Sequence, residues 1–148
     1  MAMRVPRLRR GFAAVAVVAL LAAPSLVRAD GPAPAAAFTT VLQTTTNVDG
    51  LPLVYPSGTP QVTARLVEIP PGGETGRHRH PTPLFAYILE GEIVIDVDGQ
   101  PTRRFKAGDA FMETTYWHNG RNDGDRPARL LAVYLGAEGV PQAIKPEP

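Results

Sequence analysis

After residue 37 the chain consists of short β-type runs separated by glycine- and proline-rich turns. The runs are rich in Val, Ile, Leu, Thr and aromatic residues, and no stretch of ten residues repeats its apolar side chains with the helical period of 3.6. Many short strands with almost no helix predict an all-β domain, as a β-sandwich or a small barrel. We predict strand-type runs at residues 38–46, 62–69, 84–89, 93–97 and 129–135.

The first 29 residues have the layout of a secretory signal peptide. Residues 1–10 contain four arginines and no acidic residue, residues 12–23 are an unbroken apolar run, and small residues precede Asp30. The apolar run is shorter than the roughly 20 residues of a membrane-spanning helix, so we expect no stable membrane anchor. We therefore predict a periplasmic or secreted protein, and the Arg9-Arg10 pair leaves twin-arginine export in folded form open.

The charge balance and the lack of cysteine exclude several classes of protein. Residues 1–29 hold five of the 15 basic residues, so the rest of the chain has 10 basic and 14 acidic residues. A mildly acidic domain argues against a nucleic-acid partner, which would need a basic surface. Without cysteine the chain can form neither a disulfide nor a thiolate metal site. We predict one domain at residues 38–140, between an Ala/Pro linker at 30–37 and a flexible tail at 141–148.

Two of the chain's three histidines, His78 and His80, lie two positions apart. Residues two apart on a strand face the same way, so both imidazoles can point at one metal ion. The third histidine, His118, is the only one left to complete such a site. Because His-x-His is a short pattern, the alternative is a pair of solvated histidines beside Arg77 and Arg79.

The spacing of glycines and histidines resembles the first motif of the cupin family. Gly72, His78, His80 and Gly91 fall at the intervals of that motif, and Leu84 occupies its glutamate position. The chain is similar to a small single-domain cupin over roughly residues 62 to 135.

The second cupin motif is matched in part. His118 and Asn122 keep its spacing, whereas Thr114 stands in its proline position and Tyr116 in its glycine position. The departures therefore fall on the carboxylate ligand of the first motif and on the turn that precedes the third histidine.

The resemblance implies a jelly-roll barrel, the double-stranded β-helix, that holds a divalent transition metal. It implies metal ligation by His78, His80 and His118, and it excludes Leu84 as a ligand. Without a carboxylate the site would be a neutral face of three imidazoles with open positions for water or substrate. Such a face suits Fe, Zn, Cu or Ni better than Mg or Ca, with Mn as a further candidate, and does not choose among them.

Two residues near His118 are candidates for catalytic roles. Glu113 could replace the missing ligand or act as a general base, and the Tyr116 phenol could hydrogen-bond a ligand or narrow the entrance. Glu74, in the glycine-rich loop before His78, is a second candidate carboxylate. The alternative is that both glutamates are solvated loop residues, as most carboxylates are.

Three functions stay open. The first is a metal-dependent, oxygenase-like enzyme that acts on a small molecule at the three-histidine site. The second is a non-catalytic cupin module that binds a small ligand or a metal ion, and the third is a domain that binds no metal. The oligomeric state is equally open, and a homodimer is a candidate because small cupins often pair through their strand edges.

Overall fold

The computed structural model describes residues 35–147. The predicted signal peptide at 1–29 and residues 30–34 of the predicted linker lie outside the described residues. The chain divides into the units 1–37 and 38–148, and all that follows concerns the second. Among the described residues no helix is long and apolar enough to span a membrane.

Seven antiparallel strands form two sheets, which confirms the predicted all-β jelly roll, and the described part of the chain contains no helix. The larger sheet has the order β1-β7-β2-β5 and the smaller one the order β4-β3-β6. The strands are β1 (Pro60–Ile69), β2 (Leu84–Glu90), β3 (Glu92–Val97), β4 (Arg103–Lys106), β5 (Ala110–Met112), β6 (His118–Arg121) and β7 (Ala128–Ala137).

Residues 72–79 extend the smaller sheet by pairing irregularly with β6. Glu74 lies opposite Arg121, whereas His78 lies opposite His118, so the register shifts by one residue between the two pairs. Gly76, at φ 76°, lies at this shift in the left-handed region that glycine adopts without strain. The bulge therefore brings one histidine directly opposite another.

The run at 38–46 is not a strand, and that prediction was wrong. Only Thr46 of this run makes a β-bridge, to Pro52, and Phe38 is 94% exposed. A run of β-forming residues does not make a strand unless one of its faces is buried against a neighbour. The chain instead enters a hairpin loop at 45–53, which is closed by a hydrogen bond from the Leu53 N–H to the Thr45 carbonyl at 2.9 Å.

The core lies between the inner faces of the two sheets. On β7 every second residue from Ala128 to Tyr134 is buried, and β2 contributes Leu84, Ala86 and Ile88. From the smaller sheet Ile93, Ile95 and Val97 complete the apolar cluster. The segment that carries the histidines contacts this core through His80, whose ring centroid lies 5.6 Å from that of Tyr134 on β7.

We predict that Gly91→Ala lowers the free energy of unfolding more than Gly99→Ala. Both glycines have φ 71°, so each substitution should cost about 1–2 kcal/mol through the left-handed backbone. At Gly91 a Cβ would also lie 2.9 Å from the Pro127 carbonyl oxygen, whereas at Gly99 nothing lies within 4 Å. Denaturant unfolding of the two variants measures the difference, and equal losses would show that the close approach at Gly91 is unimportant.

Candidate metal centre

The structure brings all three histidines of the chain together. The His78 N–H donates to the His118 carbonyl at 2.9 Å and the His118 N–H donates back at 2.8 Å, which fixes the two residues side by side. His80 lies two residues further along the same segment. The ring centroids are 4.4 Å apart for His78 and His118, 4.8 Å for His78 and His80, and 5.1 Å for His80 and His118. One ring nitrogen from each lies within 4.8 Å of the others, so the three can hold one ion.

Each histidine is oriented by a hydrogen bond between its Nδ1 and a backbone carbonyl. The acceptors are Gly76 for His78 at 2.7 Å, Gln142 for His80 at 2.7 Å and Tyr116 for His118 at 2.9 Å. A carbonyl oxygen can only accept, so each Nδ1 must carry a proton, and in the neutral ring each Nε2 keeps its lone pair. Three neutral imidazoles with free Nε2 atoms are the donor set of a transition-metal site, so the residues fit the predicted ion.

Burial keeps two of these imidazoles neutral. Loss of solvation lowers the pKa of His80 and of His118 to about 4, from a usual value of 6.5. Protons compete with a metal ion for the nitrogens of an exposed histidine below about pH 6.5. At His80 and His118 this competition begins only in more acidic solution.

A carboxyl group beside the histidines comes from Glu113, which directly follows β5, the strand next to β2. Leu84 is buried, and its carbonyl accepts a 2.8 Å hydrogen bond from the Glu113 N–H. The Glu113 side chain is buried in the same cavity as the histidines, and this burial raises the pKa of its carboxyl to about 7. The group of side chains close enough together to bind one metal ion consists of the three histidines and does not include Glu113. Glu113 therefore lies beside the ligand set, where it can exchange a proton with a bound molecule.

The other two predicted site residues lie elsewhere. The Tyr116 side chain is 41% exposed and is not among the residues that line the histidine cavity, although its backbone orients His118. A role for its phenol stays a prediction. Glu74 is exposed, and its Oε2 accepts a 2.7 Å hydrogen bond from Asn119 Nδ2.

Tyr134 is a residue of the site that sequence reasoning missed. It lines the histidine cavity, which has a volume of about 60 Å³, and its ring centroid lies 5.6 Å from that of His80. Burial raises the pKa of its phenol, so the hydroxyl stays protonated and can donate. The alternation of side chains along the run at 129–135 could have identified Tyr134, because it places position 134 on the same face as the buried Leu130 and Ala132.

The C-terminal segment belongs to the site. The sequence predicts a flexible tail at 141–148, and the structure pairs Arg79 with Ile144 through two backbone hydrogen bonds of 3.0 and 2.9 Å. This pairing places the Gln142 carbonyl against His80 Nδ1. The tail thus supplies one of the three acceptors that set the histidine tautomers.

Comparison with known proteins supports this interpretation. Residues 65–134, which contain all three histidines, match the family model for the cupin domain. The part of the chain that carries the histidines is therefore similar to a cupin domain. Over 90 residues the chain is 33% identical to Oryzines biosynthesis cluster protein J of Aspergillus oryzae. This match covers 60% of this chain and 49% of that protein.

Two further similarities are weaker. Over 66 residues the chain is 30% identical to Tetracenomycin polyketide synthase protein TcmJ of Streptomyces glaucescens, covering 44% of each chain. A variant of the oxalate decarboxylase of Bacillus subtilis superposes with a TM-score of 0.50 at 24% identity, over 60% of this chain and 24% of that one, which supports the fold alone. The chain spans about half the length of the curated relatives that it matches.

The pKa shifts predict how the stability of the metal-free protein depends on pH. Between pH 6.5 and 4.5 the unfolded chain takes up protons on His80 and His118, which stay neutral when folded, whereas the folded protein keeps one proton on Glu113. At these three groups the unfolded state binds about one proton more than the folded state. The free energy of unfolding therefore falls by about 1.4 kcal/mol for each pH unit as the pH drops.

The Glu113→Gln variant tests this balance. It removes the proton that the folded state holds, so its free energy of unfolding should fall about twice as steeply over the same window. Denaturant unfolding in the presence of a chelator at several pH values gives both slopes, and their difference isolates Glu113. Parallel slopes would contradict the raised pKa of this carboxyl.

Removing the tail should weaken metal binding. Truncation after Val140 deletes the Gln142 carbonyl and the Ile144 pairing, and loss of such an outer hydrogen bond typically weakens metal affinity by about 10–100-fold. Truncation after Lys145 keeps both contacts and is the matched control. Competition for Zn²⁺ with a chromophoric chelator measures the affinity. Equal affinities in the two truncated chains would show that the tail does not orient His80.

Proposed function

We propose that this protein is an exported, metal-binding cupin-domain protein that binds and transforms a small molecule at the three-histidine site. The observation that carries the proposal is the set of three Nε2 lone pairs, each fixed by an Nδ1 hydrogen bond to a backbone carbonyl. One ring nitrogen of each histidine lies within 4.8 Å of the other two, and a cation held between them would accept all three lone pairs.

The donor set favours a divalent transition metal. Neutral imidazole nitrogens suit Fe, Zn, Cu or Ni, and to a lesser degree Mn, whereas Mg and Ca prefer oxygen ligands. A divalent ion held by His78, His80 and His118 would act as a Lewis acid towards an oxygen atom of a bound molecule.

The surrounding side chains are suited to proton transfer. Burial raises the pKa of Glu113 to about 7, and a cation at the histidines would lower it, so the ionised carboxylate would serve as a general base at neutral pH. Leu84, Ile69 and Leu130 line the same cavity and make much of its wall apolar. These features favour an enzyme, and the curated relatives named for the biosynthesis of small organic molecules support a small-molecule substrate.

A non-catalytic binding module is the second candidate. The histidine cavity has a volume of only about 60 Å³, and the glutamate position of the family is occupied by Leu84. A cavity of this size holds one or two water molecules more readily than a whole substrate, which favours simple metal capture.

Export is proposed from the sequence of residues 1–29 alone. The basic start, the apolar run and the small residues before Asp30 support it. The mass of the protein recovered from a periplasmic extract tests it, since an exported chain would lack about 29 residues.

We predict that the protein binds one transition-metal ion and that the His78→Ala/His118→Ala double variant binds none. Elemental analysis after loading with Fe, Zn, Cu, Ni or Mn gives the stoichiometry. Asn119→Ala is the matched control, because Asn119 neighbours His118 on β6 but bonds to Glu74 outside the cavity. If the parent protein takes up none of these metals, the proposal fails.

The same preparations separate an enzyme from a binding module. For an enzyme, Glu113→Gln should keep its metal and lose turnover by about 10²–10⁴-fold, the usual contribution of an acid or base. Oxygen uptake and product analysis with small diketones and phenols provide the assay. Stoichiometric metal without turnover of any of these compounds would favour the module.

A further inference from the structure

A larger cavity lies beside the histidine cavity and shares Glu113 with it. Its volume is about 330 Å³, and its walls come from the hairpin loop and the residues that follow it, from Pro81 to Pro83, and from Thr115. Glu113 lines both cavities, so a molecule in the larger one reaches the wall of the metal centre. The volume lies at the lower end of the range of small-molecule sites, about 300–1,000 Å³.

Asp49 anchors the hairpin wall. Its carboxylate is almost fully buried, pairs with Arg103 at 3.0 Å and accepts a hydrogen bond from Thr114 Oγ1. Thr114 stands in the proline position of the second cupin motif, so this departure from the family pattern holds the hairpin loop against the barrel. The wall is therefore built before any ligand arrives, which reduces the entropy cost of binding.

The lining is apolar and carries little charge. Leu51, Leu53, Val54 and Tyr55 provide most of its side-chain surface together with prolines, and no Lys, Arg or His is among the lining residues. Glu113 is the only acidic residue there. A carboxylate or phosphate group would lose its water in this cavity without gaining a positive partner, so the lining disfavours anions.

Among the polar groups of the lining, Asn47 and Glu113 can hydrogen-bond a ligand, and Thr82 Oγ1 is a further buried group with no partner among the described residues. Asn47 is 7% exposed, and its Oδ1 accepts from the N–H groups of Asp49 at 2.9 Å and Leu51 at 3.0 Å. Because both N–H groups need an acceptor, these bonds distinguish the oxygen of the Asn47 amide from its nitrogen. The nitrogen, Nδ2, is left as a donor with no partner among residues 35–147. Glu113 accepts one bond, from the Thr114 N–H at 3.2 Å, and the rest of its carboxyl has no other partner in this part of the chain.

We propose that this cavity binds an uncharged compound of about two fused rings that carries a hydroxyl or carbonyl oxygen. An apolar cavity of about 150 Å³ holds benzene, so about 330 Å³ has room for two rings. The Asn47 amide donates to the oxygen of the ligand, and Glu113 bonds to an oxygen at the wall shared with the histidines. The inference rests on the proposed function, since it names the substrate class of that site.

Calorimetric titration with 2-naphthol, in comparison with 2-naphthoate, tests the inference on the full chain. The two probes share their rings and differ in charge at neutral pH. We expect saturable binding of 2-naphthol at one site per chain and at least tenfold weaker binding of 2-naphthoate. Equal or tighter binding of the anion, or no saturable binding of 2-naphthol, would overturn the proposal.

Three variants locate the binding site. Thr115→Trp should fill the cavity and abolish 2-naphthol binding, whereas Val62→Trp, on the outer face of β1 where Val62 is 65% exposed, should leave it unchanged. Asn47→Asp keeps the oxygen that holds the hairpin loop and removes the donor, so affinity should fall by roughly tenfold at a temperature where circular dichroism shows the variant to be folded, although the added carboxylate lowers its melting temperature. Full binding by Thr115→Trp would place the probe elsewhere and refute the assignment.

The titrations are repeated on metal-loaded and chelator-treated protein. If 2-naphthol binds and no metal does, the metal proposal fails while the cavity inference holds. If metal binds in the expected stoichiometry and 2-naphthol does not bind, the cavity inference alone fails.

Discussion

The backbone pairing of His78 with His118 is the constraint on which the metal centre depends. Two hydrogen bonds join the histidine-bearing segment to β6 and place two imidazoles on the same face. Because side chains alternate along a strand, a slip of one residue would turn His78 away from the cavity. If the register of Glu74 and Arg121 continued unchanged, His78 would lie opposite Trp117. The bulge at Gly76 adds the single residue that corrects this.

The same bulge also supplies a hydrogen-bond acceptor to the site. The Gly76 carbonyl accepts from His78 Nδ1, while acceptors for the other two rings come from the turn before β6 and from the C-terminal segment. Three separate stretches of chain thus determine the tautomers of three side chains. A site of this kind forms only when the whole barrel is folded, since its three acceptors come from stretches of chain that meet only in the folded domain.

The parts of the site that the sequence predicted are those that depend on side-chain identity and spacing. Three histidines at motif intervals, and a carboxylate five residues before the last one, can be identified in one dimension. The acceptors are backbone carbonyls, which every residue has, so no pattern distinguishes Gln142 or Tyr116. The run at 38–46 shows the opposite failure, because its residues favour a strand but the fold offers that segment no face to bury. The place of Tyr134 in the site could have been predicted from the alternation of side chains along β7, provided that the buried face of this strand was known.

Leu84 replaces the glutamate of the cupin motif, while Glu113 follows the adjacent strand β5, and this arrangement changes the electrostatics of the centre. A carboxylate among the ligands would carry a fixed negative charge, whereas the buried Glu113 carboxyl has a pKa near 7 and changes its charge near neutral pH. A cation held by the histidines would stabilise the ionised carboxylate and lower that pKa. Cation binding and ionisation of Glu113 are therefore linked. Glu113 should thus contribute to a rise in metal affinity through neutral pH, where the buried His80 and His118 are already deprotonated.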